Sequence, residues 1–214
     1  MPWTASASRR VRDNATGVRE GASSVAMIEV PDHPLRPAAE ADLARLIPEI
    51  ERLSGLRTRW VGVVWVREGG FLFAGQKHGW CGISLRGDIL LDPPARWRTM
   101  IHEGFHSVSA AFGAARLHPE QRAWEEAIVE QCQRLFRQQL LHGIGVDIEE
   151  ARFREGDQQH PYNRHIRALE AHRASLGSTP ETFYLRLLRA GPTDRAALVL
   201  AATRTLRVQH PQEP

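Results

Sequence analysis

Residues 95–113 read ARWRTMIHEGFHSVSAAFG, and this stretch decides the fold prediction. Its large apolar residues recur at helical spacing, which indicates a helix with one face in a hydrophobic core; they are Trp97, Ile101, Phe105, Val108 and Phe112. His102 and His106 lie beside that face, four residues apart, so both imidazoles can reach one metal ion. Glu103 lies about 100° further round the helix, where it can reach water on the metal without ligating the metal.

The composition indicates one domain, or a compact domain with an appended helical part. The chain has 214 residues and is 42% apolar, which is enough for a sizeable core. No apolar run approaches the ~18 residues of a membrane-spanning helix. Arg9-Arg10 is not followed by an apolar segment, so neither a Sec nor a twin-arginine signal is indicated. We therefore expect a cytoplasmic protein without membrane partners.

The charge and the cysteine content argue against a nucleic-acid-binding protein and against a disulfide-bonded one. The net charge of +3 comes from a chain with 27 arginines and a single lysine, Lys77. The arginines are scattered among acidic residues, so nucleic acid is not an expected partner. Cys81 and Cys132 lack C-x-x-C spacing, and we expect both to be reduced core residues.

The pattern along the chain predicts three parts and an α+β fold. Residues 1–34 are expected to form a flexible arm with a short strand at 24–30, residues 35–145 a catalytic core, and residues 146–214 a helical extension packed on it. Strands are predicted at 58–68, 71–74 and, as two short strands, within 81–92. Helices are predicted at 37–54, 95–113, 118–142, 161–176, 179–189 and 193–208, with residues 146–160 irregular.

A catalytic zinc site needs a third protein ligand, with the fourth position left open. The extended pattern H-E-x-x-H-x-x-G-x-x-H is excluded, because Ser109 and Phe112 stand where its Gly and third His belong. A carboxylate from the next helix is the other solution. Residues 124–130, WEEAIVE, lie about twenty residues beyond His106 and supply candidates.

The segments HEGFH at 102–106 and EEAIVE at 125–130 together resemble the gluzincin branch of the zincin metallopeptidases, to which thermolysin belongs. The resemblance covers about residues 80–135. It implies a zincin-like α+β fold, with a small antiparallel or mixed sheet packed on the motif helix and a mostly helical C-terminal part. It also implies Zn²⁺ as cofactor, ligands His102, His106 and Glu126, and Glu130 as hydrogen-bond acceptor for a ligand imidazole.

Helical periodicity keeps a second ligand candidate open. In the helix predicted at 118–142, Glu125 lies on the same side as the apolar stripe, which is formed by Trp124, Ile128, Cys132 and Leu135. A core-facing glutamate without a partner is unfavourable, so Glu125 is the alternative to Glu126. Glu126 is preferred on the strength of the resemblance.

Zincins commonly use a Tyr, His or Arg from later in the chain to stabilise the developing oxyanion. The candidate is Tyr162, in a polar stretch at a helix start; a surface or capping role is its alternative. Tyr184 has the surroundings of a packing residue. His160, His165 and His172 are expected at the surface.

The sequence therefore predicts a zinc-dependent metalloprotease that hydrolyses peptide bonds through a zinc-bound water activated by Glu103. Its partner would be a protein or peptide substrate, and the helical extension favours one dedicated protein. The segment Gly82–Leu91 is expected to be an edge strand that pairs with extended substrate. The alternative is a zincin-fold protein-interaction module, with or without metal and without peptidase activity. The presence of Glu103 argues against that alternative, because a purely structural site has no use for a base.

Overall fold

The computed structural model describes residues 32–68, 74–78, 82–113 and 119–209. Within them the fold is α+β and mostly helical. In chain order the elements are α1 (Arg36–Ser54), β1 (Val64–Arg67), β2 (Gly75–Lys77), β3 (Ile83–Arg86), α2 (Gly87–Leu91), α3 (Pro93–Val108), α4 (Pro119–Gly143), a 3₁₀ turn (Glu150–Phe153), α5 (Arg154–Gln158), α6 (Asn163–Ser175), α7 (Pro180–Arg189) and α8 (Pro192–Gln209). None of these helices is long and apolar enough to cross a membrane.

The three described strands form a small mixed sheet in the order β1-β3-β2. β1 runs parallel to the central strand β3, with Val64 opposite Ile83. β2 runs antiparallel to β3, with Gln76 opposite Ser84. β2 also contacts α3, so this edge of the sheet lies against the helix that carries HEGFH.

The motif helix α3 packs against both α1 and α4. Met100, Ile101 and Phe105 are fully buried there. Gly104 permits the close approach of α1, because a Cβ at this position would lie 2.6 Å from Cδ1 of Ile50. The apolar face of α3 is thus fixed in the core, and its histidines are held at the edge of that face.

The C-terminal helices complete the same core. Ile166, Leu169, Phe183 and Leu187 belong to the buried cluster that also contains Phe105. α4 contacts both α6 and α7, and α6 packs against α8. Side chains from both sides of residue 145 therefore share one core, and the boundary placed there stays a prediction.

The structure corrects the strand predictions. The strand expected over 58–68 is limited to Val64–Arg67, because Thr58 and Trp60 use side chains in local hydrogen bonds: Thr58 Oγ1 accepts from Trp60 N (3.0 Å), and Trp60 Nε1 donates to Val63 O (2.9 Å). The second strand expected within 81–92 is helix α2, which buries Gly87 and Leu90 at a spacing of three. β2 lies at Gly75–Lys77, where no strand is predicted. Residues 24–30, 71–73, 80, 81 and 118 lie outside the described part of the chain.

Two helix predictions also change. The motif helix ends at Val108 rather than Gly113, and the backbone N–H of Ala110 donates to Leu188 O of α7 instead (3.1 Å). Residues 146–160 are not irregular throughout, since they contain the 3₁₀ turn and α5. The other helices agree with the prediction to within two residues at each described end. α1 ends at Gly55, which has a φ of 69° that favours glycine.

Candidate metal centre

Helices α3 and α4 bring three ligand atoms to one point. His102 Nε2 lies 3.1 Å and His106 Nε2 lies 3.3 Å from Oε2 of Glu126. The two Nε2 atoms lie 3.2 Å from each other. The arrangement follows from the spacing of four within α3 and from the antiparallel contact of α4 across it.

The outer nitrogen of each imidazole faces a carboxylate. His102 Nδ1 lies 3.2 Å from Oε2 of Glu130, and His106 Nδ1 lies 3.0 Å from Oε1 of Glu125. An ionised carboxylate can only accept, so hydrogen-bond logic assigns a proton to each Nδ1. When each ring is neutral, its Nε2 then presents a lone pair toward Glu126. Three lone pairs that converge in this way require a cation or shared protons between them.

The triangle of ligand atoms has the size that zinc requires. Tetrahedral zinc with bonds of ~2.0–2.1 Å separates neighbouring ligand atoms by about 3.3–3.4 Å. The separations at 3.1, 3.2 and 3.3 Å are close to that value. Two imidazoles and one carboxylate are also a donor set that Zn²⁺ favours, and three protein ligands leave one position open. The residues present therefore fit zinc.

Glu125, the alternative ligand, lies on the outer side of His106. It is 1% exposed, and both of its oxygens are engaged. Oε1 faces His106 Nδ1, while Oε2 accepts from the Ser109 hydroxyl (3.0 Å) and from Arg195. The geometry thus brings His102, His106 and Glu126 together and leaves Glu125 as a support for one of them.

The charges in the site depend on one another. Burial acts to lower the pKa of both histidines, but the surrounding carboxylates outweigh it. The pKa of His102 rises to about 9 through its hydrogen bonds to Glu126 and Glu130. The pKa of His106 rises to about 10 through the charge of Glu126 and the bond to Glu125. The two imidazoles in turn hold the pKa of Glu126 far below its ordinary value despite burial. Without metal, protons therefore supply the positive charge at this point.

Glu103 has the properties expected of a base beside the ligands. It is 4% exposed, and its Oε2 has no hydrogen-bond partner among the described residues. Burial raises the pKa of this carboxyl, against the charges of His102 and His106, which lower it. Its side chain lies against β2, where a Cβ on Gly75 would come within 2.9 Å of Glu103 Oε1. This oxygen makes no hydrogen bond to the described residues, so it is free to bond a further group in the site.

A cleft of about 520 Å³ opens over these residues, bordered by β2 on one side and by His160, Pro161 and Tyr162 on another. Tyr162 is half-buried and occupies the N-cap position of α6, but its side chain makes no capping hydrogen bond there. Burial raises the pKa of the phenol, which keeps it a hydrogen-bond donor. The structure therefore places Tyr162 in the wall of the same cleft.

His160 is not the surface residue that the sequence indicates. Its side chain is 12% exposed, and its Nε2 lies 3.4 Å from Glu130 Oε2. Burial lowers its pKa to about 4. His172 is also buried, whereas His165 is intermediate. Residues 146–160 are predicted to be irregular, but they contain the 3₁₀ turn and α5. The chain that follows α5 places His160 beside Glu130.

His102, Glu130 and His160 form a second group whose atoms are close enough to hold an ion. Its carboxylate already faces positive charge. Oε1 of Glu130 accepts from Arg98 (2.5 Å) and from Arg134 (2.9 Å). A further cation there would be repelled by both guanidinium groups, so the group containing Glu126 is the better metal site.

Three arginines that support the site were not found from the sequence: Arg98, Arg134 and Arg195. Arg134 is four residues after Glu130 on one helix, a spacing that was a usable signal. Arg195 contacts a residue 70 positions earlier, and no local pattern indicates that contact.

No family model, curated protein or solved structure matches this chain. The class of site is accordingly defined by its own geometry: two histidines and a glutamate around one point, with a buried carboxyl beside them.

Proposed function

We propose that the protein is a zinc-dependent metalloprotease of the gluzincin type. The observation that carries the proposal is the convergence of His102 Nε2, His106 Nε2 and Glu126 Oε2 beside the unpartnered oxygen of Glu103, at the floor of an open cleft. His102, His106 and Glu126 would hold Zn²⁺. When bound, zinc supplies a Lewis acid that polarises a carbonyl oxygen and makes water more acidic.

The protein's own groups handle the protons. Glu103 Oε2 accepts a proton from the attacking water as its oxygen bonds to the scissile carbonyl carbon. The same oxygen then passes that proton to the leaving amine nitrogen as the C–N bond breaks. Glu130 and Glu125 hold the ligand imidazoles by Nδ1, so both rings keep their orientation throughout. Tyr162 is the donor we assign to the developing oxyanion.

The strand that would pair with substrate is a different one from the strand predicted. The segment Gly82–Leu91 was expected at the sheet edge, but β3 lies between β1 and β2 and is central among the described strands. The strand along the cleft is β2, with Gly75 and Lys77 in the cleft wall. We propose that an extended peptide adds to the outer edge of β2, where backbone groups would align its scissile bond with Glu103. A cytoplasmic location and a dedicated protein substrate remain part of the proposal.

The test separates the base from the ligands. Glu103→Gln removes the proton acceptor and keeps the shape, so we expect full zinc content and a fall of about 10²–10⁴-fold in hydrolysis of an unfolded protein substrate. His102→Ala, His106→Ala and Glu126→Gln each remove a ligand, so zinc and activity should both decline. Zinc content is measured by atomic emission after dialysis against metal-free buffer.

Two results would overturn the proposal. Full zinc retention by His106→Ala would place the metal elsewhere. Zinc in the wild-type protein without hydrolysis of any unfolded substrate would favour the interaction module instead.

A further inference from the structure

Glu125 is a buried anion held on all sides by donors. One oxygen accepts from His106 Nδ1, and the other accepts from Ser109 and from Arg195. Arg195 supplies the positive charge opposite this carboxylate, and His106 and Ser109 supply the other donors. The buried carboxylate therefore depends on these partners, because a buried charge that loses its partner is strongly unfavourable.

Arg195 comes from α8, in the part of the chain most distant from the motif. The residue is 5% exposed and uses its guanidinium in four directions. Nε donates to Leu187 O (2.9 Å), one terminal nitrogen donates to Glu125, and the other donates to Ser109 Oγ (2.9 Å) and Leu188 O (3.2 Å). The end of α7, the C-cap residue of α3 and the second turn of α4 thus meet at one planar group.

We propose that Arg195 is a positioning residue for the metal centre: it fixes Glu125, and Glu125 fixes the ring of His106 so that Nε2 faces His102 and Glu126. The inference rests on the proposed metal site. Arg195 does not touch the ligand atoms, and its effect passes through one carboxylate. The last described helix is in this way part of the site, although HEGFH and the glutamates lie in residues 102–130.

The chemistry of the contact requires arginine. A lysine ammonium could supply the charge for Glu125, but it is a point donor and cannot reproduce a planar fork directed at four acceptors. Arg195→Lys should therefore retain part of the metal affinity of the wild-type protein. Arg195→Met keeps an apolar stem of similar length and should retain the least affinity. This graded order separates positioning from simple filling of space.

The experiment measures Co²⁺ binding to the full chain, because its visible bands report the ligand geometry as well as the affinity. Loss of a hydrogen-bonded support of a metal ligand typically lowers metal affinity 10–100-fold. We expect that loss for Arg195→Met, with altered visible bands, and a smaller loss for Arg195→Lys. The matched control is Arg173→Met, which removes a partly buried guanidinium that bonds Glu170 and Ser178 O rather than any residue beside the metal ligands. Its Co²⁺ affinity should stay within about 3-fold of wild type.

A double-mutant cycle identifies the path of the effect. In a Glu125→Gln background, Arg195→Met should change the Co²⁺ affinity much less than it does in wild type, because the carboxylate that transmits the effect is gone. Additive losses would overturn the path through Glu125. Unchanged affinity and unchanged bands in Arg195→Met would overturn the role of Arg195 while leaving the proposed function intact.

A measurement on the metal-free protein tests the role of Arg195 independently of metal binding. In the metal-free protein, the Nδ1 proton of His106 should give a downfield NMR resonance that exchanges slowly, and Arg195→Met should accelerate its exchange. Arg195→Lys should give an intermediate rate. Equal exchange in all three proteins would contradict the positioning role. Failure of the wild-type protein to bind Co²⁺ would instead overturn the metal site, and with it the proposed function.

Discussion

At the scale of single residues, the four glutamates around the two histidines have different roles because their counter-charges differ. Glu125 faces Arg195, and Glu130 faces Arg98 and Arg134. Glu126 has Arg122 only at 3.9 Å, and the Arg122 side chain is half exposed. Glu126 therefore retains the negative charge that a metal needs. Glu103 keeps an oxygen without a partner among the described residues.

The raised pKa values of the histidines predict how zinc affinity depends on pH. Because the pKa values of His102 and His106 are about 9 and about 10 without metal, both rings are protonated at pH 7. Zinc binds only the neutral rings, so binding should release close to two protons. The apparent affinity should then rise by up to ~100-fold per pH unit between pH 6 and 8. Calorimetry in buffers of different ionisation enthalpy counts the protons.

The same raised pKa values predict that the stability of the metal-free protein falls, rather than rises, as the pH increases. Its ion pairs contribute stability that is complete below the ordinary histidine pKa of ~6.5 and is lost as pH rises through about 9 to 10. Alkaline pH therefore favours the zinc-bound form, because the protons that compete with zinc are the same protons that stabilise the metal-free site. A zinc affinity that is constant from pH 6 to 8 would contradict the raised pKa values.

At the scale of elements, helices follow from the sequence better than strands do. The helix predicted at 37–54 is α1, which ends before Gly55, and the helix predicted at 179–189 is α7, where the Thr179 side chain accepts from Thr182 N. β2 has the sequence GQK and no apolar alternation. It is a strand because β3 offers backbone partners, and this tertiary contact is invisible in a local pattern.

In the candidate metal centre, too, local patterns predict some residues and miss others. The spacing within HEGFH, and the resemblance for Glu126 and Glu130, correctly anticipate which residues approach one another, because the spacing of four is a property of any helix. Arg195 and His160 could not be anticipated, since each reaches the site through the packing of distant elements. Arg195 depends on the meeting of α3, α4, α7 and α8, and His160 on the path of the chain after α5.

Gly75 offers a test at the contact between β2 and α3. A Cβ there would lie 2.6 Å from Thr99 Cγ2 and 2.9 Å from Glu103 Cγ, so Gly75→Ala must move the strand or the glutamate. We expect a loss of about 1–3 kcal/mol in the free energy of unfolding and a lower peptidase rate with zinc still bound. Denaturant unfolding and zinc content measure the two effects.

Gly191→Ala is the matched control, because a Cβ at that position meets nothing within 4 Å among the described residues. It should leave stability and activity close to wild type. If Gly75→Ala behaved like Gly191→Ala, β2 would not be packed against Glu103 as described, and its role beside the cleft would have to be abandoned.

At the scale of the whole molecule, the site joins parts of the chain that are far apart in sequence. The proposed ligands come from α3 and α4, and Arg137 of α4 bonds Asp157 of α5 and Glu150 of the 3₁₀ turn. Arg195 brings in α8. Metal that bridges α3 and α4 should therefore oppose unfolding of the entire core rather than of one local segment.

Zinc should accordingly raise the unfolding temperature. Free metal at 100 times its dissociation constant stabilises a folded protein by about 2.7 kcal/mol when the unfolded chain does not bind. For a chain of this size that corresponds to a shift of about 5–10 °C. Circular dichroism at the helix bands, in zinc-buffered solution and in EDTA, measures the shift. Glu103→Gln should show the same shift as wild type, because it keeps all three ligands, whereas His106→Ala should show little. An equal shift in His106→Ala would mean that zinc stabilises the fold from another position. A shift in Glu103→Gln together with lost hydrolysis would separate the structural contribution of the metal from its use in catalysis.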